Sequence, residues 1–382
     1  MADDGLAMTY NGAPLVGKTV TFTPNTNGTA TVTLAGEPFD ISELMGGISK
    51  AEETEPSLTI PSAGVLPGSK ETVINVTLTG DSDNCTFEGT GDTDYCTYSY
   101  SGSVTAEKMN LNLTDVKLKN ISLAGTWTLP ELYQIDPFWG DEQPNIYNVA
   151  RIVWQSEKMI ELAPNFGMPI ETILGMTLVM PMIGDGDGKV SPVEMLTMLL
   201  KNVTFHEDGN VTATYINAAD MNQAPVTSPV GIAQYVITSE GNLRLFLNPT
   251  AIIMNTAKAI AKSKTRAIDM SLIVESMMQQ LIPLLSQGIP VSYGKAIMDS
   301  EGQLNEDPNI LSFYLGTETL LPLLKTFAPL LSDADFVNGI VEEAKKDPTM
   351  GSMAEMLPSI FNSLPGIIET TTKVEIGINL KK

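Results

Sequence analysis

Over the first third of the chain, apolar and polar residues alternate with a period of two. Residues 18–22 (Lys-Thr-Val-Thr-Phe) and 29–34 (Thr-Ala-Thr-Val-Thr-Leu) flank a turn rich in Asn and Gly, and residues 72–79, 98–104 and 109–113 repeat the alternation. Runs of Val, Thr and Tyr at this spacing, punctuated by Gly, Asn and Asp, predict half-buried antiparallel strands. Between them, residues 41–48 read as a short helix and residues 52–55 as a charged loop.

Near Asn120 the period changes. Residues 121–129 read as one more strand, and helical segments then alternate with hairpins. The spacing predicts helices over 169–180, 192–200, 250–263, 267–285, 318–331, 333–346 and 353–364, the last but one opened by a capping-box-like Ser332 and Asp335. Hairpins are expected over 203–215 and 235–247, turning on Asp208-Gly209 and Glu240-Gly241, with further strands at 291–298, 310–315 and 372–380. The expected fold is mainly β, with an α+β second half. An N-terminal antiparallel β-sandwich or half-barrel over 1–120 precedes a barrel-like sheet with long helical insertions over 121–382.

Composition narrows the partners. In 382 residues, Lys+Arg number 22 against 45 Asp+Glu, a formal net charge of −23, while 43% hydrophobic content marks a folded chain. Such a surface repels nucleic-acid backbones and anionic lipid, and leaves cations, basic proteins and neutral ligands open. No segment has the length of about 20 apolar residues needed to span a bilayer. The opening residues carry neither a basic start nor an apolar run, which reads as a mature chain without its leader. The only two cysteines, Cys85 and Cys96, lie in a Gly/Asp/Thr-rich stretch between strand-like runs. Their spacing suits a disulfide across a long hairpin loop, worth about 2–3 kcal/mol and at home in an oxidising compartment; the alternative is two free thiols.

Tyr10-Asn-Gly12, the strand Val20-Thr-Phe22, its return at 29–34 and the closing run 109–113 resemble the calycin-like (lipocalin-like) secreted lipoproteins of gut Bacteroidetes, whose function is unknown. In the second half, Gly125-Thr-Trp127 is similar to the lipocalin Gly-x-Trp of the first barrel strand, whose indole closes one end. The chain departs from lipocalins in its helical insertions and in having Lys373, Lys381 and Lys382, rather than an Arg, near its end. The resemblance implies a lipocalin-like β-barrel in the second half and an outer-membrane or periplasmic address, with membrane attachment through a lipidated cysteine outside this chain. It carries over no catalytic residues.

Two constellations bear on chemistry. Residues 183–194 read as a 12-residue calcium loop, with Asp185 and Asp187 at positions 3 and 5, the Lys189 carbonyl at 7, Ser191 at 9 and Glu194 at 12. Ile183 breaks position 1, and the alternative is a helix–helix turn whose polar groups cap the next helix. The second is aromatic: Phe138, Trp139, Tyr147 and Trp154 fall together beside carboxylates and amides, a workable sugar platform or else packing for the barrel mouth. The single histidine, His206, cannot build a multi-histidine zinc site or a triad. Lys258, Lys262 and Arg266 form a basic helical stripe. The function expected is a non-enzymatic extracytoplasmic protein that binds a glycan or small apolar ligand, with structural calcium as the one candidate cofactor. The alternative is a structural or adhesive surface protein engaging other proteins.

Overall fold

The period-two runs of the first third become strands in the computed structural model, which describes residues 5–40, 59–81, 83–135, 140–184, 188–218, 221–249, 281–346 and 351–382. The helix read at 41–48, the loop at 52–55, the helical segments at 250–263 and 267–280 and the basic stripe lie outside the described residues. Strands β1 (Leu6–Tyr10), β2 (Lys18–Pro24), β3 (Thr29–Gly36), β4 (Glu71–Thr77), β5 (Cys85–Asp92), β6 (Cys96–Val104) and β7 (Met109–Leu118) build the N-terminal half. β2, β3 and β4 form a three-stranded meander, while β1, β7, β6 and β5 lie in a six-stranded sheet. The two sheets meet through Phe22 of β2, stacked on Phe87 of β5 at 6.4 Å. One pairing departs from the antiparallel expectation. β1 runs parallel to β7, Leu6 opposite Met109, because the chain leaves β1 for the meander before it returns.

The β5–β6 ladder is built on facing pairs of glycine and aromatic ring: Gly91 opposite Tyr98, Gly89 opposite Tyr100 and Gly102 opposite Phe87. A Cβ at these glycines would lie 2.3 Å from Tyr98 Cζ, 2.5 Å from Tyr100 Oη and 2.2 Å from Phe87 Cζ. Each ring therefore lies over the bare backbone of its neighbour, which recovers the apolar contact a glycine strand lacks.

This ladder also corrects the disulfide. Cys85 pairs with Val104, whereas Cys96 begins β6 and pairs with Leu118 on its other side. At about 3.3 Å per residue the two sulfurs stand at opposite ends of the hairpin, roughly 25 Å apart, beyond the reach of any disulfide. Both thiols are free.

The second half carries β8 (Gly125–Trp127), β9 (Ala150–Ser156), β10 (Leu200–Phe205), β11 (Asn210–Tyr215), β12 (Ala233–Ser239), β13 (Asn242–Leu247), β14 (Ile289–Lys295), β15 (Ile310–Leu315) and β16 (Thr371–Lys381). They join in the order β8-β10-β11-β12-β13-β14-β15-β16-β9, an antiparallel meander from β10 to β16. Among the described residues, no sheet closes through a continuous ladder. Just beyond β8, however, Thr128 and Lys381 exchange two backbone hydrogen bonds of 2.8 and 2.7 Å, tying β8 back to the end of β16. β9 flanks the rest of β16, Ala150 opposite Ile378 and Val153 opposite Glu375.

One face of this sheet gathers the aromatic core. Phe313 stacks on Phe205 at 5.4 Å and meets Trp127 edge-on at 5.6 Å, and Phe205 meets Tyr235 at 5.0 Å. Lys382 places its ammonium 5.4 Å from the Trp127 ring, the position in which the Gly-x-Trp resemblance expects an Arg. This core is continuous with that of the N-terminal half, through Tyr10, Leu66, Leu118 and Val236 among others. The seam is specific. The turn after β10 inserts into the first half, where Tyr10 Oη donates to the Asp208 carbonyl and Leu118 N to that of Glu207. In return, Gln234 Nε2 donates to the Val65 carbonyl at 3.1 Å.

Lys18 belongs to the same region. It is 4% exposed, and its ammonium donates to the carbonyls of Ala63 at 2.8 Å and Gly64 at 3.1 Å. Burial lowers its pKa from 10.5 to about 8. Between those values the unfolded chain holds a proton that the folded chain lacks, so folding stability rises with pH across that window. Relative to Lys18→Met, the wild type is expected to gain up to about 3 kcal/mol between pH 7 and pH 10.5, measured by urea denaturation of both proteins along the pH series. A constant gap between the two would show that Lys18 keeps its ordinary titration.

Helices α1 (Ile146–Val149), α2 (Ile170–Val179), α3 (Pro192–Leu199), α4 (Thr317–Leu331), α5 (Ala334–Lys346) and α6 (Gly351–Glu369) supply the insertions. α5 opens at Asp333, whose carboxylate takes the Phe336 N–H at 2.8 Å, so the cap is Asp333 and not Ser332. Among the described residues no helix is long and apolar enough to cross a membrane.

Candidate functional site

Trp154 is a core residue. It is 7% exposed, donates its indole N–H to Thr371 Oγ1 at 2.8 Å, and packs with Ile160, Ile170, Ile367 and Ile368. Its place in the apolar run of β9, covered by α2 and α6, removes it from any solvent-facing platform. Tyr147 is half-buried and donates to Glu171 Oε1 at 3.1 Å, while the other oxygen of that carboxylate accepts the Trp154 backbone N–H at 3.0 Å. Burial, followed by the nearby Glu171 charge, pushes the Tyr147 pKa up to about 12. Glu171 thus fastens α1 and α2 over the outer edge of β9, blunting a strand edge that would otherwise be open. Phe138 and Trp139 lie outside the described residues. The structure accordingly unites Tyr147 and Trp154 through Glu171, as packing rather than as a binding surface.

In the calcium-like loop, Asp185 and Asp187 lie outside the described residues. Ser191 is the N-cap of α3: its hydroxyl accepts from Glu194 N at 3.2 Å, and Glu194 Oε2 accepts from Ser191 N at 2.6 Å, a complete capping box. Glu194 Oε1 accepts the Tyr133 hydroxyl. These bonds, first that from the Ser191 backbone, hold the Glu194 pKa below the usual carboxylate range. Both oxygens at position 12 are therefore held by protein donors. Ile183 and Val190, positions 1 and 8, pair as an antiparallel bridge. Among the described residues, no group of three His, Cys, Asp or Glu is placed to hold a metal.

A large concavity lies elsewhere. A cleft of about 900 Å³ opens between a short hairpin, Ile160–Ala163 with Phe166–Met168, and the C-terminal part of α6. The hairpin turns at Asn165, which holds the left-handed conformation that Asn tolerates (φ 63°). Ile160 anchors it in the core beside Ile367, and Glu161 N donates to Ser363 Oγ at 3.2 Å, fixing hairpin to helix. Phe166 is 54% exposed beside the cleft, and Met159 is similarly open. Around them stand the amides of Asn165 and Asn362, the carboxylates of Glu161 and Glu369, the hydroxyl of Ser359 and the ammonium of Lys158. Pro365 lines the helix wall and, lacking an N–H, leaves the Phe361 carbonyl without its helical partner.

This arrangement offers an apolar ring face with amide, carboxylate and hydroxyl groups around it, the chemistry expected at Trp139 but provided by Phe166. Sequence reasoning passed over the hairpin. Its signal was the Pro164-Asn165 turn followed by Phe166 and Gly167, short and flanked by strands of only four and three residues. His206 stands apart, its Nε2 2.8 Å from Thr212 Oγ1. No family model, no curated protein and no solved structure matches this chain.

Proposed function

We propose that this chain is a non-enzymatic, extracytoplasmic cell-envelope protein that binds a glycan in the cleft between the 160–168 hairpin and α6. The observation that carries the reading is Phe166: a large ring, more than half exposed, beside a concavity whose other walls are amides, hydroxyls and carboxylates. Sugar rings pack apolar C–H faces on aromatic rings and exchange hydrogen bonds with such neighbours. The packed aromatic core of the large sheet favours this surface site over an apolar ligand held inside, since Trp127, Phe205, Tyr235 and Phe313 already contact one another.

We read the large sheet as a lipocalin-like barrel whose first strand is split between β8 and β9, and the N-terminal sheets as a β-sandwich. Kinship with calycin-like lipoproteins is supported by the β10–β16 meander, the Thr128–Lys381 bridge and Lys382 over Trp127. The envelope address, as an outer-membrane or periplasmic lipoprotein, draws on that kinship and on the acidic surface; the separated thiols add nothing to it. The second reading, an adhesive protein engaging other proteins, is favoured by Met176, Met180 and Met198, exposed on or just beyond α2 and α3.

A glycan array followed by isothermal titration separates the two readings. The array is expected to return hits, and Phe166→Ala to weaken them about tenfold, the equivalent of roughly 1.4 kcal/mol. A silent array, or affinity unchanged in Phe166→Ala, would favour the adhesive reading.

A further inference from the structure

Resting on the glycan reading above, we infer that the cleft takes an oligosaccharide along its length and selects neutral or amino-bearing chains over acidic ones. Length follows from shape. At about 900 Å³ the cleft is near the top of the range of small-ligand pockets, and it runs beside α6 from Ser359 to Glu369. Ten residues of helix span roughly 15 Å, longer than one sugar ring. Phe166 is the one aromatic ring among the residues lining the cleft, so the ligand's further rings must be held through polar groups.

Charge sets the selection. Glu161 and Glu369 both line the cleft, and neither takes part in an ion pair among the described residues. The one cation, Lys158, lies against Gly366 near the end of α6, where a Cβ would come 2.9 Å from its Cδ and 3.0 Å from its Nζ. The partial negative charge of a helix C-terminus already attracts an ammonium placed there. The carboxylates therefore leave the field of the cleft negative, on a chain of formal charge −23. A uronate or sulfated chain would bring like charge into a recess where it is poorly screened.

The test is titration of the whole protein with three series of increasing length: neutral gluco-oligosaccharides, chitosan oligosaccharides and oligogalacturonates. Affinity is expected to climb with length beyond the monosaccharide in the first two series. Oligogalacturonate is expected to bind at least tenfold more weakly, and Glu161→Gln with Glu369→Gln to shrink that ratio at low salt. If Phe166→Ala abolishes binding but a monosaccharide competes as well as its longest homologue, or the acidic series binds equally, this inference fails while the glycan reading stands. Binding to none of the three series, or binding indifferent to Phe166→Ala, overturns both.

Discussion

Arg151→Met is expected to destabilise the fold by about 3–5 kcal/mol, the cost of stranding a buried carboxylate. Arg151 and Glu375 sit diagonally on β9 and β16 with side chains only 10% and 12% exposed. The guanidinium meets Glu375 Oε2 through Nε at 2.8 Å and Nη2 at 2.7 Å, and Lys373 takes the other oxygen at 3.2 Å. It also lies 4.4 Å from the Tyr314 ring centroid. That reach crosses a strand: Arg151 faces Gly377, which faces Tyr314 in turn. A Cβ at Gly377 would come 2.1 Å from the Phe313 carbonyl oxygen, so bare backbone is what lets the cation span to the ring. Arg151→Met combined with Glu375→Leu is expected to recover most of the loss, since two apolar side chains leave no buried charge unpaired and the Lys373 ammonium, 42% exposed, stays solvated. Chemical denaturation of both variants provides the check. A double variant as unstable as the single one would mean that the cost lies in packing and not in the abandoned charge.

The second large effect concerns the glycine–aromatic ladder. On an ordinary strand Gly→Ala is neutral or helpful, by roughly 0.4–1 kcal/mol where the backbone allows it. At Gly91 the sign is expected to reverse, to a loss of about 1–3 kcal/mol, because the new methyl would displace the Tyr98 ring 2.3 Å away. In a Tyr98→Ala background the same substitution is expected to cost less than 0.5 kcal/mol. Equal losses in the two backgrounds would assign the effect to the backbone instead of the ring.

That ladder also explains what could be read from the sequence and what could not. The hairpins at 18–36, 203–215 and 235–247 were legible because their alternation and turn chemistry are local, and the helices at 170–179, 192–199 and 317–331 because apolar content and Pro or Gly punctuation bound them. Residues 85–92 carry the same alternation, yet Gly89 and Gly91 occupy core-facing positions and make a strand look like a loop. From that misreading came the disulfide. The rings that give those glycines their meaning are on the next strand, and adjacency across a ladder is not written in either segment alone. The same holds for Trp154, whose burial is decided by α2 and α6, and for Phe166, whose setting depends on a helix nearly 200 residues later. Sequence leaves Glu194 open between calcium ligand and helix-capping turn because position 12 of a calcium loop and the third residue of a capping box ask for the same side chain, and the structure shows the capping box.

The parallel pairing of β1 with β7 has a kinetic side. Leu6 finds its partner at Met109, so β1 stays without its parallel neighbour until more than a hundred further residues exist. Closing so wide a loop is slow, and a waiting edge is open to other chains. Refolding is therefore expected to show a late phase in which the amides of residues 6–10 gain protection from hydrogen exchange after those of the β2–β3 hairpin.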